Sequence, residues 1–480
     1  MKEAFAITMD ASGNPGPATA TIAHQRGIPS VQRKSIGMIL ACLLLLAGLL
    51  SACGGNNNGN SGGSTSGTNG ASEGSSAEKK EKVKLSLLVD NSQDSINIGE
   101  ALSKAFTEKN PHIEIELETR PQGTEGDNFV KTRLATGDMN DVFFYNSGSL
   151  LQALNPEQNL LDLSGEAFLD NLLESYLPVV SSGGKVFGVP FRSSVAGGWF
   201  YNKKIYEEHG LSVPKTWDEL MANLDKLKGT GVAPIIGSYK DTWTSQLIVL
   251  ADYYNVQQAE PNFANDYTAN KAKYATTPAA LRSFQKLGET VGYYNEDLLA
   301  TTYDTALAML AEGKGAHYPM LSFAVPVIEQ NFPDLIDDIG FFAQPGDDPN
   351  KVGLTVWMPD SAYISANTKH PEEAKQFLAF IASVEGAEII SGVTTPSGPF
   401  VVKGAELPDD VPQVVKDMMP YFNAEGQTSP ALEFLSPVKG PMLEQLTVEV
   451  GAGMRSPEDA AALYDQDVAK QAMQLGLEGW

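Results

Sequence analysis

"KVKLSLLVDNSQDSINIGEALSKAFTEKNPHIEIELET", residues 82–119, decides the fold class. Its opening, 82–90, is rich in β-formers and ends at a polar turn, which predicts a strand. In "SINIGEALSKAFTEKN" the apolar residues recur at helical spacing, and the pattern stops before Pro111, which cannot continue a helix. "HIEIELET" then alternates with period two, as a second strand does. A strand–helix–strand unit with connections of this length predicts parallel neighbours joined by a right-handed crossover. "DNFVKTRLATGD" reads as the next helix and "DVFFY" as a short buried strand. The alternation resumes with "APIIGS" (233–238), a helix through "WTSQLIVLADYYN", helices around 278–291 and 303–313, and the strands "GAHYPM" and "DIGFFAQ". The C-terminal third reads as mainly helical. "PEEAKQFLAFIASVEGAEII" and "SPEDAAALYDQDVAKQAMQLG" both open with proline and acids near the first turn, as helix N-termini prefer. No internal repeat is present.

The 480 residues are too many for one small core, and two domains are the natural expectation. A net charge of −25 disfavours nucleic acid and anionic membrane surfaces as partners, since both need basic patches. The two cysteines, Cys42 and Cys53, lie in or beside the apolar run 36–50, so the predicted folded body has no disulfide framework and no cysteine-ligated zinc. That run follows Arg33 and Lys34 and spans about 15 residues, short of the roughly 20 a membrane-spanning helix needs. It suits the apolar core of a secretory signal. Small residues lead into Cys53, and Gly, Asn, Ser and Thr follow it. Residues 54–77 can bury almost nothing, so chain entropy keeps them a coil with a span of roughly 25–30 Å. Residues 1–30 sit oddly before a signal, and "VQRKSIGMIL" from Val31 looks like a normal start.

"LSAC" resembles the bacterial lipobox, which implies lipidation of Cys53 after removal of a signal peptide over 1–52 and a tether over 53–78. Further blocks carry a family resemblance: "LATGDMNDVFFYNSGSLLQAL", "VFGVPFRSSVAGGWFYNKKIYEEHGLSVPKTWDEL" (186–220), "LAMLAEGKGAHY" and "ISANTKHPEEAKQFLAF". In this order after a lipobox, they resemble the extracellular solute-binding proteins of ABC importers, in the carbohydrate-binding group that includes maltose-binding protein. The resemblance covers the chain from residue 82 onward. It implies an α/β fold of two lobes, periplasmic-binding-protein-like, with a ligand cleft and a multi-segment hinge. Residues 79–195 and 318–358 would form lobe 1, and 196–317 and 359–480 lobe 2. Stretches near Val189–Phe200, Ala316–Leu321 and Trp357–Ile364 would cross between them. The implied role is a monomeric protein, lipid-anchored through Cys53 at the outer face of the membrane, that hands a carbohydrate to an ABC permease and needs no cofactor.

Sugars offer an apolar C–H face to flat rings and hydroxyls to carboxylates, amides and arginine. Trp243 follows the strand "APIIGS" beside Tyr239 and Asp241, where this family commonly faces its ligand; the alternative is a core tryptophan. Trp357, in "GLTVWMPDSA", stands where relatives often carry glycine and either projects into the cleft or packs on a lobe surface. Phe323 falls where many relatives stack a tryptophan on sugar. Gln93 and Asp94, beside Ser92, lie in the first strand–helix turn, and Tyr145 and Asn146 end the strand "DVFFY"; ligands sit at the carboxyl ends of parallel strands. Arg192, beside Ser193, either forks onto vicinal hydroxyls or pairs with an acid of the other lobe. Asp141 reads as structural, and Trp199 and Tyr201 as packing.

Catalytic signatures are missing. The five histidines are dispersed, which gives no metal motif, and neither a nucleophile elbow nor a phosphate loop occurs. Asp337-Asp338 and Asp347-Asp348 lie in turn-like segments rather than across a sugar site. A binding protein is therefore expected, not an enzyme. The alternatives are a tethered glycoside hydrolase, a binder of a non-sugar solute, or a protein-recognition module. The acidic balance argues mildly against a polyanionic ligand, although the potential in a cleft can differ from the total.

Overall fold

A computed structural model describes residues 81–480. The signal peptide, Cys53, the tether and the alternative start near 31 lie outside the described residues. The strands, in chain order, are β1 (Val83–Asp90), β2 (Ile113–Arg120), β3 (Val142–Tyr145), β4 (Ser181–Ser182), β5 (Lys185–Val186), β6 (Gly188–Pro190), β7 (Val195–Asn202), β8 (Ala233–Ile235), β9 (Gly315–Leu321), β10 (Ile339–Ala343), β11 (Leu354–Trp357), β12 (Ser361–Ile364) and β13 (Thr428–Pro430).

The unit over 82–119 forms as expected. β1 and β2 pair in parallel from Val83 opposite Ile113 to Asp90 opposite Arg120. Between them runs helix α1 (Gln93–Lys109), capped by the Ser92 hydroxyl, which accepts the Ser95 N–H at 3.2 Å. Its buried face is Ile98, Leu102 and Phe106. Gly99 lets it lie close on the sheet, since a Cβ there would meet Leu117 Cδ1 at 2.8 Å. β3 adds to β1 in parallel, and β12 and β6 extend the sheet antiparallel, in the order β2-β1-β3-β12-β6.

The second sheet is organised by the long strand β7. One edge takes β9, with β8 beyond it. The other edge takes β10 against Gly198–Asn202 and β11 against Val195–Gly197, with β13 outside β11. Each sheet has its own core: Phe106, Phe143, Tyr176 and Phe377 in the first lobe, Trp199, Trp217, Tyr318 and Phe342 in the second. Trp199 is fully buried and its indole donates to Gln344, as a packing residue should. Asp141 is structural, accepting hydrogen bonds from Ser86 and Thr368.

Sheet membership departs from the expected lobe boundaries. The segment 318–358, assigned to lobe 1, carries the rest of β9 with β10 and β11, and all pair in the second sheet. Conversely, β12 and the helices Pro371–Ile381 and Val384–Ser391, assigned to lobe 2, build the first lobe. Ala316–Leu321 is therefore a strand of the second sheet and not a crossing. Alternation identifies a strand but not its partner, and β7 has two free edges that recruit all three later strands. The other two expected crossings form, between Pro190 of β6 and Val195 of β7, and between Trp357 of β11 and Ser361 of β12. A third joins Val402, in the first core, to Val411, in the second.

Two helices expected as continuous are broken. "WTSQLIVLADYYN" divides into Thr242–Gln246, Leu247–Ala251 and Tyr253–Ala259, and Asp252 at the second break sends its carboxylate inward to Lys286. "PEEAKQFLAFIASVEGAEII" divides at Ser383, whose hydroxyl caps a new helix by accepting the Gly386 N–H at 3.1 Å. No helix of the described residues is long and apolar enough to cross a membrane.

Candidate functional site

The carboxyl ends of β1 and β3 and two of the crossings meet at one point. Asp90 ends β1; its Oδ1 accepts the Ser92 N–H at 2.9 Å and its Oδ2 the Ser95 hydroxyl at 2.5 Å. Burial pushes this carboxyl up, but those hydrogen bonds, aided by Arg192, outweigh it and hold it below the ordinary carboxylate range. Arg192, on the first crossing, donates from Nη2 to Ser95 Oγ at 2.6 Å. Its Nη1 stands 3.6 Å from Asp94 and its Nε 3.9 Å from Asp360, on the second crossing. Asn146, at the end of β3, donates to the other Asp360 oxygen at 3.2 Å. One guanidinium thus gathers the first strand–helix turn and two crossings.

Asp360 faces both Arg192 and Asn146. Solvent reaches 41% of its side chain, yet the surrounding protein strips enough water to push its pKa up to about 6, against the opposing pull of Arg192. Asp90 and Glu433 add to the rise, and Arg120 opposes it.

The second lobe brings three rings to this place. Trp243 lies 5.4 Å from Tyr303 and 5.9 Å from Phe323, and Tyr303 lies 6.1 Å from Phe323, centroid to centroid, all mutually tilted. Phe323 lines the same cavity as Asp94, Arg192 and Thr394. Burial raises the pKa of the Tyr303 hydroxyl, and Asp304 and Asp94, the latter from the first lobe, raise it further. That hydroxyl is buried without a hydrogen-bond partner among the described residues. The indole N–H groups of Trp199, Trp217, Trp357 and Trp480 reach Gln344, Glu289, Glu433 and the Thr268 carbonyl. Trp243 makes no such bond among the described residues.

Trp357 packs against β7 at Gly197, where a Cβ would come 2.5 Å from its Cζ3. Its indole donates to Glu433 at 2.5 Å, and Lys439 pairs with the same carboxylate at 3.2 Å. Phe434, next to Glu433, touches the first lobe at Gly148, a residue with φ of +68° and no room for a side chain. A second contact between the lobes runs from the Thr395 hydroxyl to the Glu329 carboxylate.

The structure thus places Asp94, Arg192 and Phe323 on one cavity, with Trp243 against Phe323 and Asn146 joined to Arg192 through Asp360. Arg192 does pair with acids, but Asp94 and Asp360 belong to the first lobe and a crossing rather than to the opposite lobe. Tyr145 is buried, with its hydroxyl donated to Asp127 at 3.0 Å. Gln93 is exposed and spends its amide on Asn97 at 2.8 Å. Tyr239 departs from expectation: it is buried in the second lobe, seated on Gly451, with its hydroxyl donated to Tyr294 at 3.0 Å. Asp241 acts through a neighbour, since it accepts the Tyr303 N–H at 2.7 Å and so sets the start of that helix. Asp90, Asp360, Tyr303 and Glu433 were missed. Asp90 was within reach of the strand-end rule, and Asp360 sits three residues after Trp357; Tyr303 and Glu433 arrive only through folding.

The profile of the bacterial extracellular solute-binding proteins matches residues 93–388, more than half of the chain. The multiple sugar-binding protein of Streptococcus mutans is 27% identical over 342 residues, which are 69% of this chain and 78% of that one. Among solved structures, a chitin oligosaccharide binding protein superposes with a TM-score of 0.70 at 22% identity, covering 82% of this chain and 99% of the other. The SBP RafE in complex with raffinose superposes at 0.65 and 22% identity, covering 82% and 100%. With its two sheets, its crossings and this match, the chain belongs to the family of bacterial extracellular solute-binding proteins.

Proposed function

We propose that this protein captures a mono- or oligosaccharide between its lobes and delivers it, unaltered, to the permease of an ABC importer. The observation that carries the reading is the pairing of surfaces. The Trp243–Tyr303–Phe323 rings on one lobe meet Asp90 and Asp94 of the other, with Arg192 and Asp360 on the crossings between them. Rings take the C–H face of a pyranose and carboxylates take its hydroxyls. Relatives named for sugar binding support the same reading. Contacts from the second lobe exist fully only when the cleft shuts, so the ligand favours the closed form by its extra affinity for it. A micromolar dissociation constant, about −8 kcal/mol, is within reach of such a surface after ordering costs.

The protein works as a monomer outside the cytoplasm. The lipid on Cys53 holds it at the outer face of the membrane, with residues 54–77 as the tether. The test is thermal-shift and calorimetric screening of the purified full chain against raffinose, stachyose, xylotriose, chitotriose, maltotriose and galactose. Binding raises the unfolding midpoint in proportion to occupancy. Hydrolysis of the bound sugar above a buffer control would instead favour the tethered hydrolase.

A further inference from the structure

We infer that the cleft is built for an uncharged, hydroxyl-rich guest and rejects uronate-bearing and sulfated saccharides; this rests on the sugar-binding reading above. An anion needs a cation whose charge is not already balanced, and Arg120, Arg192 and Lys439 are the basic residues that act on or pair with Asp360 and Glu433. Arg120 is buried, and its Nη groups donate to the carbonyls of Pro121 and Phe144 at 3.0 and 3.3 Å. Lys439 is engaged by Glu433 at 3.2 Å. Arg192 faces acids: Ser95 takes Nη2, Asp94 stands 3.6 Å from Nη1 and Asp360 3.9 Å from Nε, which is shut off from solvent and has no hydrogen-bond partner among the described residues. Arg120 and Lys439 are thus engaged by carbonyls and by Glu433, and a guest anion approaching Arg192 would compete with Asp94 and Asp360 for one guanidinium.

The acids are in the opposite condition. Asp90, Asp94 and Asp360 cluster about the one guanidinium of Arg192, which leaves an excess of negative charge there. Asp94 receives a single neutral hydrogen bond, from Thr394 at 3.2 Å, and Asp360 a single one, from Asn146 at 3.2 Å. A carboxylate has about four lone-pair directions, so both retain acceptor capacity that hydroxyl donors can fill. A guest carboxylate or sulfate would meet these acids as a like charge, an arrangement that suppresses wrong partners.

The experiment uses the purified full chain and pairs of ligands that differ only at C6. The strongest neutral hexose-bearing binder from the panel above is compared, by calorimetry at pH 7.5, with its C6-oxidised carboxylate; galactose and galacturonate are the simplest such pair. The expected result is at least roughly tenfold weaker binding of the uronate, with a gap that narrows in Asp94→Asn and Asp360→Asn. Equal or tighter binding of the uronate would overturn the inference and leave the sugar reading standing. So would a gap unchanged in both variants while they still bind the neutral sugar. Binding of no saccharide, neutral or acidic, by a folded protein would instead remove the sugar reading and this inference with it.

Discussion

Replacing Trp243 by alanine separates a ligand platform from a core residue. The ring is only partly buried, stands against Tyr303 and Phe323 at 5.4 and 5.9 Å, and spends its N–H on no residue described. A pyranose stacked on the free part of the indole would remove about 60–80 Å² of apolar surface from water. At ~25 cal/mol per Å² that is roughly 1.5–2 kcal/mol, or about a 10- to 30-fold rise in Kd. Fold stability should fall less. The aromatic neighbours remain and the cavity opens towards the cleft, so a loss of about 1–2 kcal/mol and a drop of a few degrees in Tm are expected. Calorimetric titration of the full chain reads the first effect and chemical denaturation the second. Unchanged affinity would refute the platform. A collapse in stability with affinity preserved in the folded fraction would make Trp243 a core residue.

Away from the cleft, Lys286 and Asp252 form an ion pair at 2.6 Å with side chains only 1% and 2% exposed, and Lys286 also donates to the Pro345 carbonyl. Lys286→Met strands a buried carboxylate and should cost about 3–5 kcal/mol in denaturation. Adding Asp252→Asn should recover part of that loss; no recovery would show that packing, not charge, carries the effect. Beside Arg192, Asp360 is raised to about 6 by desolvation, with Asp90, Arg120 and Glu433 also acting on it. An unfolded aspartate titrates near about 3.9. Between these values the folded chain holds a proton that the unfolded chain has released, so this group's contribution to stability declines as pH rises through the window. Asp360→Asn should therefore gain in Tm relative to the parent at pH 7.5 compared with pH 4. Parallel pH profiles for the two proteins would sink the assignment.

The sequence alone determined the strand–helix–strand unit at 82–119, because the period of its apolar residues and the stop at Pro111 are local properties. It also marked the crossing at Arg192, and strand ends pointed to Asp94 and Asn146, while Trp243 and Phe323 entered only through the family resemblance. Periodicity reports which face of an element is buried, not what covers it. That is why β10, β11 and the end of β9 were placed in the wrong lobe, and only the two open edges of β7 decided their partners. The breaks at Asp252 and Ser383 were hidden for a related reason. Both segments keep a helical pattern, while a distant lysine in one and a capping hydroxyl in the other decide where the helix stops. Asp360 acquires its raised pKa, and Tyr303 and Glu433 their places at the cleft, from residues far away in the chain. Charge and desolvation act through space, and only the tertiary structure sets those distances.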